Sequence, residues 1–392
     1  MKQENNKSQQ NLKIFFILGE ESGDILGEKL IKSLIDINPN IKFYGLAGSR
    51  MQQYDIRSIF SISELSLMGF LEIIPHIPKL INRINFTANK IKEINPDIVI
   101  SIDSPDFSFR VVKKIAQDKN LSHIKKVHLI APSVWAYREG RAQKIAKIYN
   151  LLLTILPFEP PFFEKYGLKT KFIGHPILQN KEHHQKGEFR KKFNIKTYEK
   201  LICLTPGSRI SEVKKILPQM IKATYIIKQS QDNIKFVILA TDKTKKFIQS
   251  YLAINKLNIL IITQKDKYSL FTDANLAIAK SGTNNIEMSL YQLPLIITYK
   301  VNFLSYILIK LMIKIKFANL INIIANKEII PELLQNKCKA YNLAQEAIKL
   351  LNNNDLSQKQ IIESEKSLIA MGINFKETPT QLAAKYIINN AI

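Results

Sequence analysis

Two carboxylates follow an apolar run at Ser101-Ile102-Asp103-Ser104-Pro105-Asp106-Phe107. A side chain at the carboxyl end of a strand faces the ligand side of an open parallel sheet. Asp103 is therefore placed to act as a general base, taking a proton from an attacking hydroxyl. Asp103 or Asp106 can equally cap the helix that follows. Two further turns suit phosphate. Thr205-Pro206-Gly207-Ser208-Arg209 follows an apolar run. Gly207 and Ser208 can offer N–H groups to a diphosphate, and Arg209 can neutralise it. Ser281-Gly282-Thr283-Asn284-Asn285-Ile286-Glu287 has the same setting. Ser281, Gly282 and Thr283 present donors at a helix start, with Glu287 behind them for a ribose diol. Plain strand-to-helix turns would read the same way one at a time; two such turns in one half point to a nucleoside diphosphate.

Other residues are candidates on weaker grounds. Gly19-Glu20-Glu21-Ser22-Gly23-Asp24 joins an apolar run to a helical pattern, and Ser22 can cap that helix. It is not a P-loop, since no Gly-Lys-Ser/Thr follows. Ala131-Pro132-Ser133-Val134-Trp135-Ala136-Tyr137-Arg138 holds the sole tryptophan. It reads as a contact for a phosphorylated or acylated ligand, or as an aromatic anchor beside a sheet. The histidines and cysteines have no metal-ligand spacing, so neither a metal nor a cofactor is expected. Ile62 to Ile74 is strongly apolar, and Leu65, Leu67, Met68, Phe70 and Leu71 either line an acyl-chain groove or form a core helix. Phe303 to Phe317 is similar but carries Lys310, Lys314 and Lys316, at a spacing that meets anionic headgroups or snorkels from a buried helix.

The elements that must position these residues alternate. Short apolar runs at Lys13–Leu18, Lys42–Leu46, Asp97–Ile102, Val127–Ile130 and Leu151–Ile155 read as strands, with helical stretches between several of them. The rhythm repeats at Leu201–Leu204, Lys235–Leu239, Ile259–Ile262, Leu276–Ala279 and Leu295–Thr298. The fold class is α/β: two doubly wound parallel sheets. A chain of 392 residues supports two domains. The expected division is a leader at 1–11, an acceptor domain at 12–179 and a polar linker at 180–200. A nucleotide domain at 201–355 follows, then C-terminal helices at 356–392 that pack on the first domain of the same chain or of a partner. The net charge of +24 favours an anionic partner or reflects a Lys- and Asn-rich composition. No nucleic-acid motif is present. Two cysteines argue for a reducing compartment. No run approaches the ~20 apolar residues that span a bilayer, so the protein is expected to be cytoplasmic and at most peripheral to a membrane.

In order along the chain stand GEESGD, AGSRM (Ala47 to Met51), LMGFLE (Leu67 to Glu72), IDSPDF, PSVWAY-R, LPFE (Leu156 to Glu159), FIGHP, PGSR, SGT..IE and PELLQ (Pro331 to Gln335). In that set and order the chain resembles the lipid-A-disaccharide synthases, from about Lys13 to its C-terminus. The resemblance implies a GT-B glycosyltransferase with two Rossmann-like domains facing a cleft. It implies a metal-independent, inverting reaction: UDP-2,3-diacylglucosamine and 2,3-diacylglucosamine 1-phosphate (lipid X) give a β-1,6-linked disaccharide 1-phosphate and UDP. It also implies a homodimer and association with anionic lipids of the inner membrane. Asp103 then matches the family's essential aspartate and Arg209 its essential arginine. Glu20 and Ser22 match the first glycine-rich turn. Ser281, Gly282, Thr283 and Glu287 match the nucleotide turn, and Asn322, Glu332 and Gln335 match residues placed near the nucleotide. Met68 and its neighbours match a segment tied to acyl recognition. Glu21, Asn284-Asn285 and the run Ile321 to Lys327 depart from the family's pattern. The alternatives are another GT-B UDP-sugar transferase or epimerase, and a non-catalytic basic protein at a membrane surface.

Overall fold

A computed structural model describes residues 11–66, 77–302, 306–307, 310, 312–313 and 315–391. Leu67, Met68, Phe70, Leu71 and much of the 303–317 stretch lie outside the described residues. The chain forms two compact units, one reaching Pro176 and resuming at Asn374, the other running from Ile177 to Ile373.

Unit 1 contains β1 (Lys13–Leu18), α1 (Glu21–Ile37), β2 (Lys42–Gly45), α2 (Ser63–Ser66), α3 (Ile77–Ile94), β3 (Ile98–Ile102), α4 (Pro105–Gln117), β4 (Lys125–Leu129), α5 (Arg141–Ala146), β5 (Leu151–Thr154), α6 (Pro160–Glu164) and β6 (Lys169–Phe172). All pairings are parallel, in the order β2-β1-β3-β4-β5-β6. Ile14 to Leu18 and Ile98 to Ile102 are buried throughout, as a sheet covered on both faces requires. The covering helices show the helical period: α1 buries Leu26, Leu30, Ile31 and Leu34, and α4 buries Phe107, Val111, Val112 and Ile115.

Unit 2 contains α7 (Glu188–Lys192), β7 (Lys200–Thr205), α8 (Ile210–Ser230), β8 (Ile234–Leu239), α9 (Asp242–Ile254), β9 (Leu260–Ile262), α10 (Lys267–Asp273), β10 (Leu276–Lys280), α11 (Asn284–Leu290), β11 (Leu295–Tyr299), α12 (Leu320–Ala325), β12 (Glu332–Leu334), α13 (Ala340–Asn352) and α14 (Asn354–Ala370). Its parallel order is β12-β11-β10-β7-β8-β9, with a hydrophobic core on each face of the sheet.

The two units change over between Pro176 and Ile177 and between Ile373 and Asn374. The polar 180–200 segment is structural rather than a free connection. Phe189 is fully buried, Gly187 and Arg190 donate backbone N–H groups to Asp273, and the Arg190 guanidinium donates to the carbonyls of Lys196 and Glu199. The C-terminal helices divide between the units. On α14, Gln360 exchanges hydrogen bonds with the backbone of Leu295, and Ser367 Oγ donates to Ile321 O, so this helix belongs to unit 2. The last helix, α15 (Pro379–Ala391), packs on α1 of unit 1 through Ala383, Ala384 and Ile387, with Thr380 Oγ1 3.3 Å from Ser33 Oγ. Strands β6 and β12 are additions to the sequence reading.

Candidate functional site

In unit 1 the strand order reverses between β1 and β3, and ligands in such sheets bind beyond the carboxyl ends at that point. The turns there touch. A methyl group added at Gly19 would lie 2.5 Å from Ser104 Oγ, so only glycine allows the loop after β1 to rest on the loop after β3. Leu65 of α2 borders the same spot, 3.8 Å from that position. It packs on the unit 1 core, so it is not a free apolar surface.

Asp103 begins the loop after β3. Asp103 and Ser104 both have left-handed backbone, at φ 48° and 47°. Ile130, at the end of neighbouring β4, has φ 72°, costly for a β-branched residue. Asp103 N donates to Leu129 O at 3.0 Å, which ties this loop to the end of β4 just before Ile130. Such strain concentrates where surrounding structure holds a side chain for function. Burial pushes the Asp103 carboxyl above the usual carboxylate range, partly offset by the Ser104 N–H that donates to its Oδ1 at 2.8 Å. Neither aspartate caps α4, whose N-cap is Ser104 without a side-chain bond. Asp106 instead pairs with Arg141 at 2.7 Å and is largely exposed. Beneath Asp103 runs a polar chain that the strand pattern concealed. Ser101 Oγ is 2.7 Å from His128 Nδ1 and 2.9 Å from the Tyr149 hydroxyl, all buried. Burial lowers the His128 pKa to about 3, so the ring is neutral.

Other unit 1 candidates resolve differently. Ser22 does not cap α1; the N-cap is Glu20, again without a side-chain bond, because the helix begins at Glu21. Asp24 holds the next loop instead, its carboxylate accepting N–H groups from Gly48, Arg50 and Met51. Trp135 is an anchor: its indole N–H donates to Glu159 Oε1 at 3.1 Å, and its ring meets Phe158 edge-on. Glu159 Oε2 also accepts from Ile155 N and Leu156 N. Arg138 is exposed, at φ 56°, near the Tyr137 ring.

In unit 2 the order reverses between β7 and β10. The loops after these strands line a cavity of about 170 Å³ with Thr205, Gly207, Ser208, Lys280, Gly282 and Thr283. Whole drug-sized ligands need about 300 Å³ or more, so this space suits the phosphates of a larger molecule. The 21-residue helix α8 starts here, Arg209 occupying its exposed N-cap position. Its N-terminal partial charge favours anions. Gly207 has φ +127°, and a methyl group on it would lie 2.7 Å from Glu212 Oε2. Glu212 Oε1 pairs with Lys280 Nζ at 3.1 Å, a contact between the first turn of α8 and the end of β10.

Several nucleotide candidates are already engaged. Glu287 is buried and accepts from Lys267 Nζ at 2.8 and 3.0 Å and from the Tyr268 hydroxyl at 2.8 Å. Its carboxylate is an internal ion-pair partner rather than an open clamp. Ser281 Oγ donates to Ala318 O. Asn322 is engaged within the fold: its Nδ2 donates to Ile330 O and Glu332 Oε1, and its Oδ1 accepts from Ile329 N and Ile330 N. That fills the hydrogen-bonding capacity of an amide, so Asn322 has nothing left for a ligand. Glu332 accepts from Ala318 N, Asn319 N and Asn322, and burial raises its pKa. These two residues brace the turn between α12 and β12. Gln335 Oε1 accepts a long bond of 3.4 Å from Val301 N.

The profile of the family described as lipid-A-disaccharide synthetase matches residues 14–386. Lipid-A-disaccharide synthases of Rickettsia felis and Rickettsia bellii are both 42% identical to the chain, covering 96% of it and 95% and 98% of those proteins. Among solved structures, a UDP-GlcNAc 2-epimerase from Neisseria meningitidis bound to UDP-GlcNAc matches with a TM-score of 0.61 at 12% identity, over 96% of this chain and 99% of that one. A glycosyltransferase from Rickettsia africae matches with a TM-score of 0.58 at 14% identity, over 97% and 98%. At such identities the structural likeness shows the fold alone, which is the GT-B class of two doubly wound units.

Proposed function

The chain belongs to the lipid-A-disaccharide synthase family, and from that premise we propose the reaction: UDP-2,3-diacylglucosamine and lipid X condense to a β-1,6-linked disaccharide 1-phosphate and UDP. The observation that carries the chemistry is Asp103, a half-buried carboxylate held in strained backbone at the strand-order reversal of unit 1. Its raised pKa gives it the basicity to take the proton of the acceptor 6-hydroxyl. The oxygen attacks the anomeric carbon of the donor as the bond to the diphosphate breaks, and the electron pair leaves with UDP. Attack opposite the leaving group inverts the anomeric centre. The developing diphosphate charge falls to Arg209, the N–H groups of Gly207 and Ser208, and the start of α8.

Both proposed substrates carry acyl chains, so the work belongs at a membrane surface. Among the described residues no helix is long and apolar enough to cross a membrane. The basic excess of the chain suits association with anionic lipid on the cytoplasmic side of the inner membrane. A homodimer is part of the same proposal. The test is incubation with the UDP-diacylglucosamine donor and lipid X in detergent. Expected are UDP and a disaccharide with a β anomeric coupling in NMR; no disaccharide, or UDP release that ignores lipid X, contradicts the proposal.

A further inference from the structure

We propose that Lys280 is a second diphosphate-binding cation beside Arg209, with Glu212 as the residue that positions it. This rests on the assignment of the unit 2 crevice to the diphosphate of a UDP donor. Lys280 ends β10 and lines the cavity between the loops after β7 and β10. Its Nζ is 3.1 Å from Glu212 Oε1, 3.9 Å from where a methyl group on Gly282 would stand, and 5.2 Å from the centre of the Tyr299 ring. Glu212 lies directly under Gly207. The ammonium is therefore bracketed by both phosphate-type loops.

The pairing is built, not incidental. The Glu212 side chain is about nine-tenths buried and that of Lys280 is only 20% exposed. Glu212 Oε2 is buried and has no hydrogen-bond partner. A carboxylate kept out of water with one oxygen unsatisfied is destabilising, a cost that calls for an explanation. Positioning is such an explanation: Glu212 draws the flexible lysine stem to one side of the crevice. An ammonium has three donors. One meets Glu212 and the Tyr299 face takes another side, which leaves a donor for an anion entering between the loops. Such an anion then meets the ammonium of Lys280 and the N-terminus of α8, whose N-cap residue is Arg209. Two cations match the charge of a diphosphate better than one.

The test is the binding of UDP, by calorimetry, and of uridine, by ligand-observed NMR, to the full chain. Lys280→Met is expected to weaken UDP binding by about 10- to 100-fold, the range of one charge-assisted hydrogen bond, and to leave uridine binding unchanged. Lys280→Arg should recover part of the loss. The single variant strands Glu212 as an unpaired buried charge, which can unfold a protein. The double variant Lys280→Met with Glu212→Gln removes both charges and should show the same selective loss while melting near the wild type. Undiminished UDP binding in the double variant overturns the inference, as does an equal loss for UDP and uridine. Failure of the wild type to bind UDP overturns the underlying assignment of the crevice, and the inference with it.

Discussion

Trp135 and Asn322 show how a residue's surroundings redefine it. The tryptophan read in sequence either as a ligand contact or as an aromatic anchor, and its indole N–H is committed to Glu159. Burial raises the Glu159 pKa to about 7. A carboxyl whose folded pKa exceeds its unfolded one lends stability that is complete at low pH and is lost as pH rises to about 7. Trp135 is the sole tryptophan, so its emission should titrate with a midpoint near pH 7, and Glu159→Gln should abolish that step. Asn322 was legible only as a family position; its four hydrogen bonds depend on a turn that residue type cannot reveal. Asn322→Ala leaves several buried groups unpaired and should lower stability by about 2–5 kcal/mol. UDP affinity, measured well below the melting temperature, should stay unchanged; a selective loss of affinity would restore the asparagine as a ligand contact.

At the scale of elements, alternation was readable because parallel strands buried on both faces are short apolar runs, such as Lys13–Leu18 and Leu276–Lys280. Of the four edge strands, β2 and β9 carry that signature and β6 and β12 do not. Lys169–Phe172 alternates lysine with Thr170 and Phe172, and Glu332–Leu334 opens on a carboxylate and holds only two apolar residues, so both passed unseen. Helix α7 was hidden by its charged neighbours, with the buried Phe189 as its one apolar signal. Asp103 and the phosphate-type loops could be found because each directly follows a strand. The Glu212–Lys280 pair could not, because it forms only when β10 lies beside β7. The loop after β7 depends on Gly207 twice, through its φ of +127° and through its closeness to Glu212. Gly207→Ala should destabilise unit 2 by about 1–3 kcal/mol and weaken UDP binding; a variant with unchanged melting and affinity would show that the loop tolerates a side chain.

For the molecule as a whole, charge is the property that motifs do not explain. An excess of 57 basic over 33 acidic residues should draw the protein to vesicles containing anionic lipid. Sedimentation with such vesicles should fall steeply with salt, as the screening length shrinks from about 30 Å at 0.01 M to about 3 Å at 1 M. Binding that is equal on neutral vesicles and insensitive to salt would assign any attachment to apolar contacts instead.

The proposed catalysis draws on residues of both units, Asp103 of unit 1 and Arg209 of unit 2. Asparagine tolerates left-handed backbone and can still accept the Ser104 N–H. Asp103→Asn therefore removes the proposed base with little disturbance of the fold. The variant also escapes burying a charge. The raised Asp103 pKa means that the wild type loses stability as pH rises from the ordinary carboxylate range through the folded value, so the variant should melt no lower than wild type at neutral pH. The most direct measurement is lipid X-dependent UDP release by wild type and Asp103→Asn, paired with UDP binding to each. The account predicts turnover reduced at least about 100-fold, the low end for a general base, with UDP affinity retained. Turnover near the wild-type rate, in a variant that binds UDP normally, would contradict it.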